Sequence, residues 1–358
     1  MTAVILSLVL SMYFPSAFAV VTTEATGSEE PYRVLDIGNS YTDDATDLLK
    51  GLVESCGIDM GKIRIYKFTR SSGSFKTWVD CYNGIDDQVY HFRRVLGAPI
   101  QTPQGDADPY DATLLREVLE QETWDLIVLH QRSEYAPNYE QWAGEGAGGY
   151  LNELLAILHK LQPEAAIGFQ LVHSYADNYE GNIDKSSFTR WQRIAASVQQ
   201  LTNDYDIQLV IPYGTAIESL RESSLNNQTD LSRDGTHLGY GLAQYTAACT
   251  YFEALIAPLF GVTVLGNTFR HTCLEWELAD AKYQESCIDV TDENAPVAQR
   301  LAIDAVSNPY NISTFGIDSV PFDNCGKNDL FYNAYGIPVS HDYPGILIHC
   351  RKKYINRK

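Results

Sequence analysis

A serine, an aspartate and a histidine lie in two short stretches whose spacing could support nucleophilic chemistry. The first is VLDIGNSYTDD, residues 34–44, where an apolar run ends at Gly38-Asn39-Ser40. Glycine permits a sharp turn there, and a helix beginning just afterwards would set its amino end beside Ser40. On that stretch alone Ser40 is more readily a helix cap than a nucleophile, and Thr42 or Asp43 could cap instead. The second is LSRDGTHLGYG, residues 231–241, with Asp234 and His237 three apart around a glycine. A serine hydroxyl is barely ionised near neutral pH, so a nucleophilic serine needs a base, and an imidazole oriented by a carboxylate can serve. The plain structural alternative puts Asp234 in an Asx turn and His237 against nearby backbone. A metal site drawing on Asp234, His237 and Asp43-Asp44 is a weaker alternative, because further ligands are not apparent.

Two more stretches end in polar groups. WDLIVLHQRSEYA, residues 124–136, reads as a strand leading into His130-Gln131-Arg132-Ser133-Glu134, and GFQLVHSYA leads into His173-Ser174. Polar side chains leaving an apolar strand are candidates for oxyanion donors or substrate contacts. His130 and His173, each taken alone, are as readily satisfied loop residues.

These positions need a frame. Short apolar runs at Arg33–Ile37, Ile63–Phe68, Leu126–Leu129, Ile167–Val172 and Leu209–Ile211 read as buried strands. Helical periodicity falls between them and beyond, at Asp43–Glu54, Ala112–Gln121, Gly149–Leu161, Phe188–Asp204, Thr215–Arg221, Gly241–Ile256 and Ala295–Val306. Such alternation predicts an α/β fold, a parallel sheet with helices on both faces and ligands bound beyond the carboxyl ends of the strands. Residues 82–110 read as an insertion in which only VYHFRRVL suggests order, and residues 316–358 as an appended tail of unknown role.

Composition narrows the function classes. The chain has 358 residues, 45% hydrophobic, enough for a full core, and a formal net charge of −20 that repels nucleic acid and anionic membranes. Residues 1–19 carry an apolar run followed by Ala17-Phe18-Ala19, the pattern of a secretory signal, so the mature protein is expected to be periplasmic or extracellular, with no stable membrane insertion after cleavage. The seven cysteines show no C-x-x-C pair; in an exported protein Cys273 and Cys287 could bridge, while Cys249 reads as core.

Taken together, VLDIGNSYTDDA, WDLIVLHQRSEYA and LSRDGTHLGYGLAQYTAACTYFEAL resemble the blocks of the SGNH (GDSL-like) hydrolase superfamily, and more narrowly its DUF4886 branch. The resemblance implies a flavodoxin-like three-layer domain over residues 30–312 and a serine esterase that needs no metal or organic cofactor. Ser40 would be the nucleophile, His237 the general base and Asp234 its orienting acid. The N–H groups of Ser40 and Gly73, or of Ser72 after a shift of one, would line the oxyanion hole. Where the superfamily has aspartate this chain has Asn39, and the usual Gly-x-Asn-Asp block is absent, so the third oxyanion role passes to Gln131, which carries the same amide donor. Asn39, His130, Tyr135 and His173 are expected to contact substrate. Trp78, Trp142, Tyr135, Tyr139 and Tyr175 fall in or near the edge loops, where aromatic rings could stack on sugar faces or simply pack the core. An O-acylated carbohydrate is therefore the first substrate expected, with a lipid or thioester hydrolase, or a non-catalytic glycan-binding protein on the same fold, as alternatives.

Overall fold

The apolar runs become the strands of a seven-stranded sheet in a computed structural model. It describes residues 30–85, 90–102, 105–107, 110–112, 114–279 and 281–313, together with four short strands between 331 and 356. The expected signal segment lies outside the described residues. In chain order the strands are β1 (Tyr32–Gly38), β2 (Ile63–Thr69), β3 (Tyr90–Leu96), β4 (Tyr110–Ala112), β5 (Leu126–Leu129), β6 (Ala166–Gln170) and β7 (Leu209–Ile211). Their spatial order is β4-β3-β2-β1-β5-β6-β7. Across the run from β2 through β1 to β7 every pairing is parallel, as expected of a flavodoxin-like sheet. The chain runs from β1 outward to β2 and later returns to β5 on the other side of β1. Ligand crevices form at such a reversal, beyond the carboxyl ends of the strands.

Residues 82–110 hold more order than expected. YHFRRVL forms β3, which pairs antiparallel with β2, and β4 pairs antiparallel with β3 at the sheet edge. Tyr90 and Phe92 alternate inward there and stack on Phe68 and Tyr66 at 5.3 and 4.7 Å, so the strand has an apolar face to bury. The four strands between 331 and 356 pair in a small antiparallel sheet of their own.

The helix expected over Asp43–Glu54 is instead two, α1 (Ser40–Thr46) and α2 (Leu49–Ser55). The start moves to Ser40 because Asn39 is the cap: its backbone is extended and its Oδ1 accepts the Tyr41 N–H at 2.9 Å. Helix α3 (Phe75–Asn83) falls where none was expected, whereas α4 (Leu115–Gln121), α5 (Leu151–Leu161), α6 (Ser187–Asp204), α7 (Tyr213–Arg221), α8 (Leu242–Tyr251) and α9 (Ala295–Ser307) lie close to expectation. Helix α8 is buried at every residue, and α1, α2, α7 and α9 pack around it as one layer. Its threonines, Thr246 and Thr250, satisfy their hydroxyls on carbonyls one turn back, so they can sit in an apolar layer. A second layer joins α3 to α4 and α5. Phe75 of α3 meets Trp142 edge-on at 5.6 Å, and Trp142 stacks on Phe169 of β6.

β1 carries one buried acid. Asp36, fully enclosed, accepts from the Tyr251 hydroxyl at 2.6 Å and, more weakly, from Gln170 Nε2 at 3.4 Å. Burial pushes its pKa up to about 7 from 3.8, against the opposing pull of those bonds and of Lys67. A raised folded pKa means stability that is fully present below about pH 4 and lost as pH rises through about 7. Asp36→Asn is therefore expected to be more stable than wild type above pH 7, by about 4 kcal/mol at most. The gap should close toward pH 4, read by urea unfolding across the range; parallel pH profiles for the two proteins would refute it.

Candidate active site

The two stretches that could do chemistry meet at the carboxyl edge of β1. Ser40 Oγ lies 2.8 Å from His237 Nε2, and His237 Nδ1 lies 2.7 Å from Asp234 Oδ2, so one hydrogen-bonded chain joins hydroxyl, imidazole and carboxylate. The other carboxylate oxygen, Oδ1, accepts the N–H groups of Thr236 and His237 and the Thr236 hydroxyl at 2.8–2.9 Å. Partial burial raises the Asp234 pKa, but the bond from the His237 ring and the two backbone N–H bonds outweigh it, leaving the carboxyl well below its usual range. Asp234 thus stays ionised and keeps His237 Nδ1 protonated, with Nε2 presented to Ser40. An arrangement of this kind can take the proton of an attacking hydroxyl.

Helix α1 builds the site from one side. Ser40 is its first residue, and the Ser40 N–H has no partner among the described residues. One residue on, the Tyr41 hydroxyl donates to the Thr236 carbonyl at 2.5 Å. One turn on, the buried Asp44 accepts the Leu238 N–H at 3.0 Å and Arg233 Nη1 at 2.7 Å, gripping both flanks of the 234–237 turn. The metal reading loses its ligands here, since Asp44 is held by Arg233, Leu238 and Gln244, and Asp43 lies 2.7 Å from Lys67 Nζ. Behind the turn, the segment closed by the Cys273–Cys287 disulfide continues into Ile288, whose N–H and C=O bond Tyr240 and Leu242.

A pocket of about 480 Å³ opens over Ser40 and His237. Its walls include Tyr41, Ser72, Arg132, Ser133, Tyr175, Tyr179 and Arg190, and Ile183 is the one aliphatic side chain of the lining among the described residues. Arg190, almost wholly buried, bonds the Ser133 carbonyl at 2.7 Å and Asp184 at 3.1 Å, and its guanidinium lies 3.9 Å over the Tyr175 ring.

The family model for a domain of unknown function, DUF4886, matches residues 33–282, more than half of the chain. The chain belongs to this family. A crystal structure of a DUF4886 family protein from Bacteroides uniformis superposes with a TM-score of 0.60 at 24% identity, over 80% of this chain and 98% of that one. A protein named as a GDSL-like lipase from Parabacteroides merdae gives a TM-score of 0.40 at 14% identity, over 63% of this chain and 96% of that one. One named as an acylhydrolase from Bacteroides fragilis gives 0.35 at 12% identity, over 66% and 93%. No curated protein matches the sequence. The DUF4886 branch and the α/β fold expected from the three sequence blocks are thus both found.

Of the residues expected at this DUF4886 site, Ser40, Asp234 and His237 come together, and Asn39 lines the pocket. Several others do not reach it. Gln131 is buried and turned toward backbone, donating to the Gly148 carbonyl at 2.9 Å and accepting from the Arg132 N–H at 2.9 Å, and it is not among the residues that line the pocket. The Gly73 N–H closes a turn on the Arg70 carbonyl at 3.0 Å. Its neighbour Ser72 faces the pocket in left-handed backbone, φ 58°, with an N–H that has no partner among the described residues. His130 is buried beneath Asn39, whose N–H it accepts at Nε2 at 3.2 Å, and burial pulls its pKa down to about 4. His173 is buried behind Thr236, and Tyr135 lies under the Arg132 guanidinium and against Gly148. Trp78 and Trp142 are core, Tyr139 bonds Asp204, and of the five aromatics only Tyr175 lines the pocket. Sequence reasoning missed Arg190, Tyr179 and Ile183, which come from the long connection after β6 and its following helix, a stretch without a recognisable motif. Arg132 and Ser133 were visible as the polar exit of β5.

Gly38 is required by crowding. A Cβ there would stand 2.1 Å from Thr42 Oγ1 and 2.4 Å from His130 Nε2, between the helix and the histidine that together seat Asn39. Gly38→Ala is expected to cost about 1–3 kcal/mol in urea unfolding. A change under about 0.5 kcal/mol, the range of an ordinary surface substitution, would mean that α1 can shift freely.

Proposed function

We propose that this protein is a serine esterase that removes short O-acyl groups, acetyl first among them, from a carbohydrate. The observation that carries the reading is the unbroken chain from Ser40 Oγ through His237 to Asp234, with both links at 2.7–2.8 Å, opening into a pocket. Ser40 Oγ attacks the ester carbonyl while His237 Nε2 takes its proton and Asp234 holds the imidazolium. The tetrahedral oxyanion is met by the N–H groups of Ser40 and Ser72, two lining residues whose N–H groups have no partner among the described residues. His237 then protonates the departing alkoxide, and a water activated by the same imidazole releases the acid from the acyl-enzyme. Every step runs on side chains and backbone of this chain together with water.

The pocket wall supports a small acyl group and a hydroxyl-rich alcohol. Tyrosine, serine and arginine make most of it, whereas a long acyl chain would call for a continuous aliphatic lining. An exported protein is the setting we propose, periplasmic or extracellular. The amino-terminal apolar run followed by A-x-A supports that setting, as does the Cys273–Cys287 bridge, a bond that persists in oxidising compartments.

The test measures release of nitrophenol from acetyl, butyryl and octanoyl esters and of acetate from acetylated polysaccharide. Ser40→Ala and His237→Ala are expected to lower kcat roughly a thousand-fold or more, and Asp234→Asn by a comparably large factor. Activity should fall with acyl length. Wild-type turnover no faster than Ser40→Ala would refute the esterase reading and favour a glycan-binding protein, whereas a preference for octanoyl would favour a lipid substrate.

A further inference from the structure

His173 is a buried histidine with a single polar commitment. Its Nε2 lies 2.8 Å from the Thr236 carbonyl, while its Nδ1 is buried and has no partner among the described residues. Its ring stacks on Tyr41 at 4.1 Å, nearly parallel, and the Tyr41 hydroxyl donates to the same Thr236 oxygen. Two donors therefore converge on one carbonyl. That carbonyl shares a peptide plane with the His237 N–H, which donates to Asp234 Oδ1 at 2.8 Å. The Thr236–His237 peptide is thus held at both ends, and donors on its oxygen polarise the N–H toward the carboxylate.

We infer that His173, with Tyr41 as its partner donor, is a positioning residue that fixes the Thr236–His237 peptide and through it the alignment of Asp234 with His237; this rests on the esterase reading above. His173 touches no substrate in this assignment. Enclosure keeps its ring neutral, since burial and the nearby charge of Arg221 lower its pKa well below the usual value, so Nε2 carries the proton it donates. Tyr41 differs in also facing the pocket, so its hydroxyl cannot be removed without changing the wall that meets substrate. His173 is therefore the residue that isolates the clamp.

Two variants separate the donor from the ring. His173→Phe keeps the stacking and removes the bond, whereas His173→Gln restores an amide donor at similar reach. On nitrophenyl acetate, His173→Phe is expected to lower kcat about ten-fold, the worth of one such bond, with KM unchanged. His173→Gln should recover most of the loss. A second readout does not need turnover. In folded Ser40→Ala protein, the low-field proton on His237 Nδ1 should be sharp when His173 is intact and when His173→Gln is added, and exchange-broadened when His173→Phe is added. Unchanged kcat and a sharp resonance in His173→Phe would overturn the inference, as would a rise in KM alone or a His173→Gln protein no better than His173→Phe. If wild type turns over no faster than Ser40→Ala, the esterase reading fails, and the resonance still decides whether the clamp exists.

Discussion

Helix α1 is the constraint on which the site depends. Seven residues long, it carries Ser40 at its first position, Tyr41 beside it and Asp44 one turn later. Because residues four apart share a helix face, the Ser40 hydroxyl and the carboxylate that grips the His237 loop move as one body. Asp44 bonds Leu238 and Arg233 on either side of the 234–237 turn, and Tyr41 bonds Thr236 within it. The distance between Ser40 and His237, which stand 197 positions apart in the chain, is therefore fixed by side chains of a single short helix.

That helix is itself seated from behind. Asn39 caps it with Oδ1, donates from Nδ2 to the Gly73 carbonyl and gives its N–H to His130. The asparagine thereby ties together the exits of β1, β2 and β5, the three strands at the sheet's reversal. Both Asp and Asn offer an acceptor for a helix cap, but only the amide can also donate to Gly73. Asn39 in place of an aspartate is thus compatible with a well-ordered α1. Gly38 permits the packing by leaving the space that a Cβ would take.

The polar groups around the pocket divide by burial. His130, His173 and Gln131 are enclosed and bond neighbouring backbone, although His173 keeps one ring nitrogen, Nδ1, without a partner among the described residues. Arg132, Ser133, Tyr175 and Tyr179 remain at the opening. Arg190 stands between the two groups, buried yet lining the cavity, and ties the β5 exit to the loop around Asp184.

Much of this was legible in the residues themselves. Short apolar runs alternating with helical periodicity determine a parallel α/β sheet, because those patterns bury completely only when helices cover both faces. The order Gly38-Asn39-Ser40, then Asp234-Gly-Thr-His237, likewise marked three side chains with complementary chemistry. Hydrogen-bond partners were another matter. Whether Gln131 faces the pocket or Gly148, whether Gly73 or Ser72 offers its N–H, and whether His173 meets a ligand or the Thr236 carbonyl all depend on backbone direction after the strand ends. Local sequence sets side-chain type and period, but each polar atom is claimed by whichever partner the tertiary packing brings within about 3 Å, and only the folded structure decides which that is.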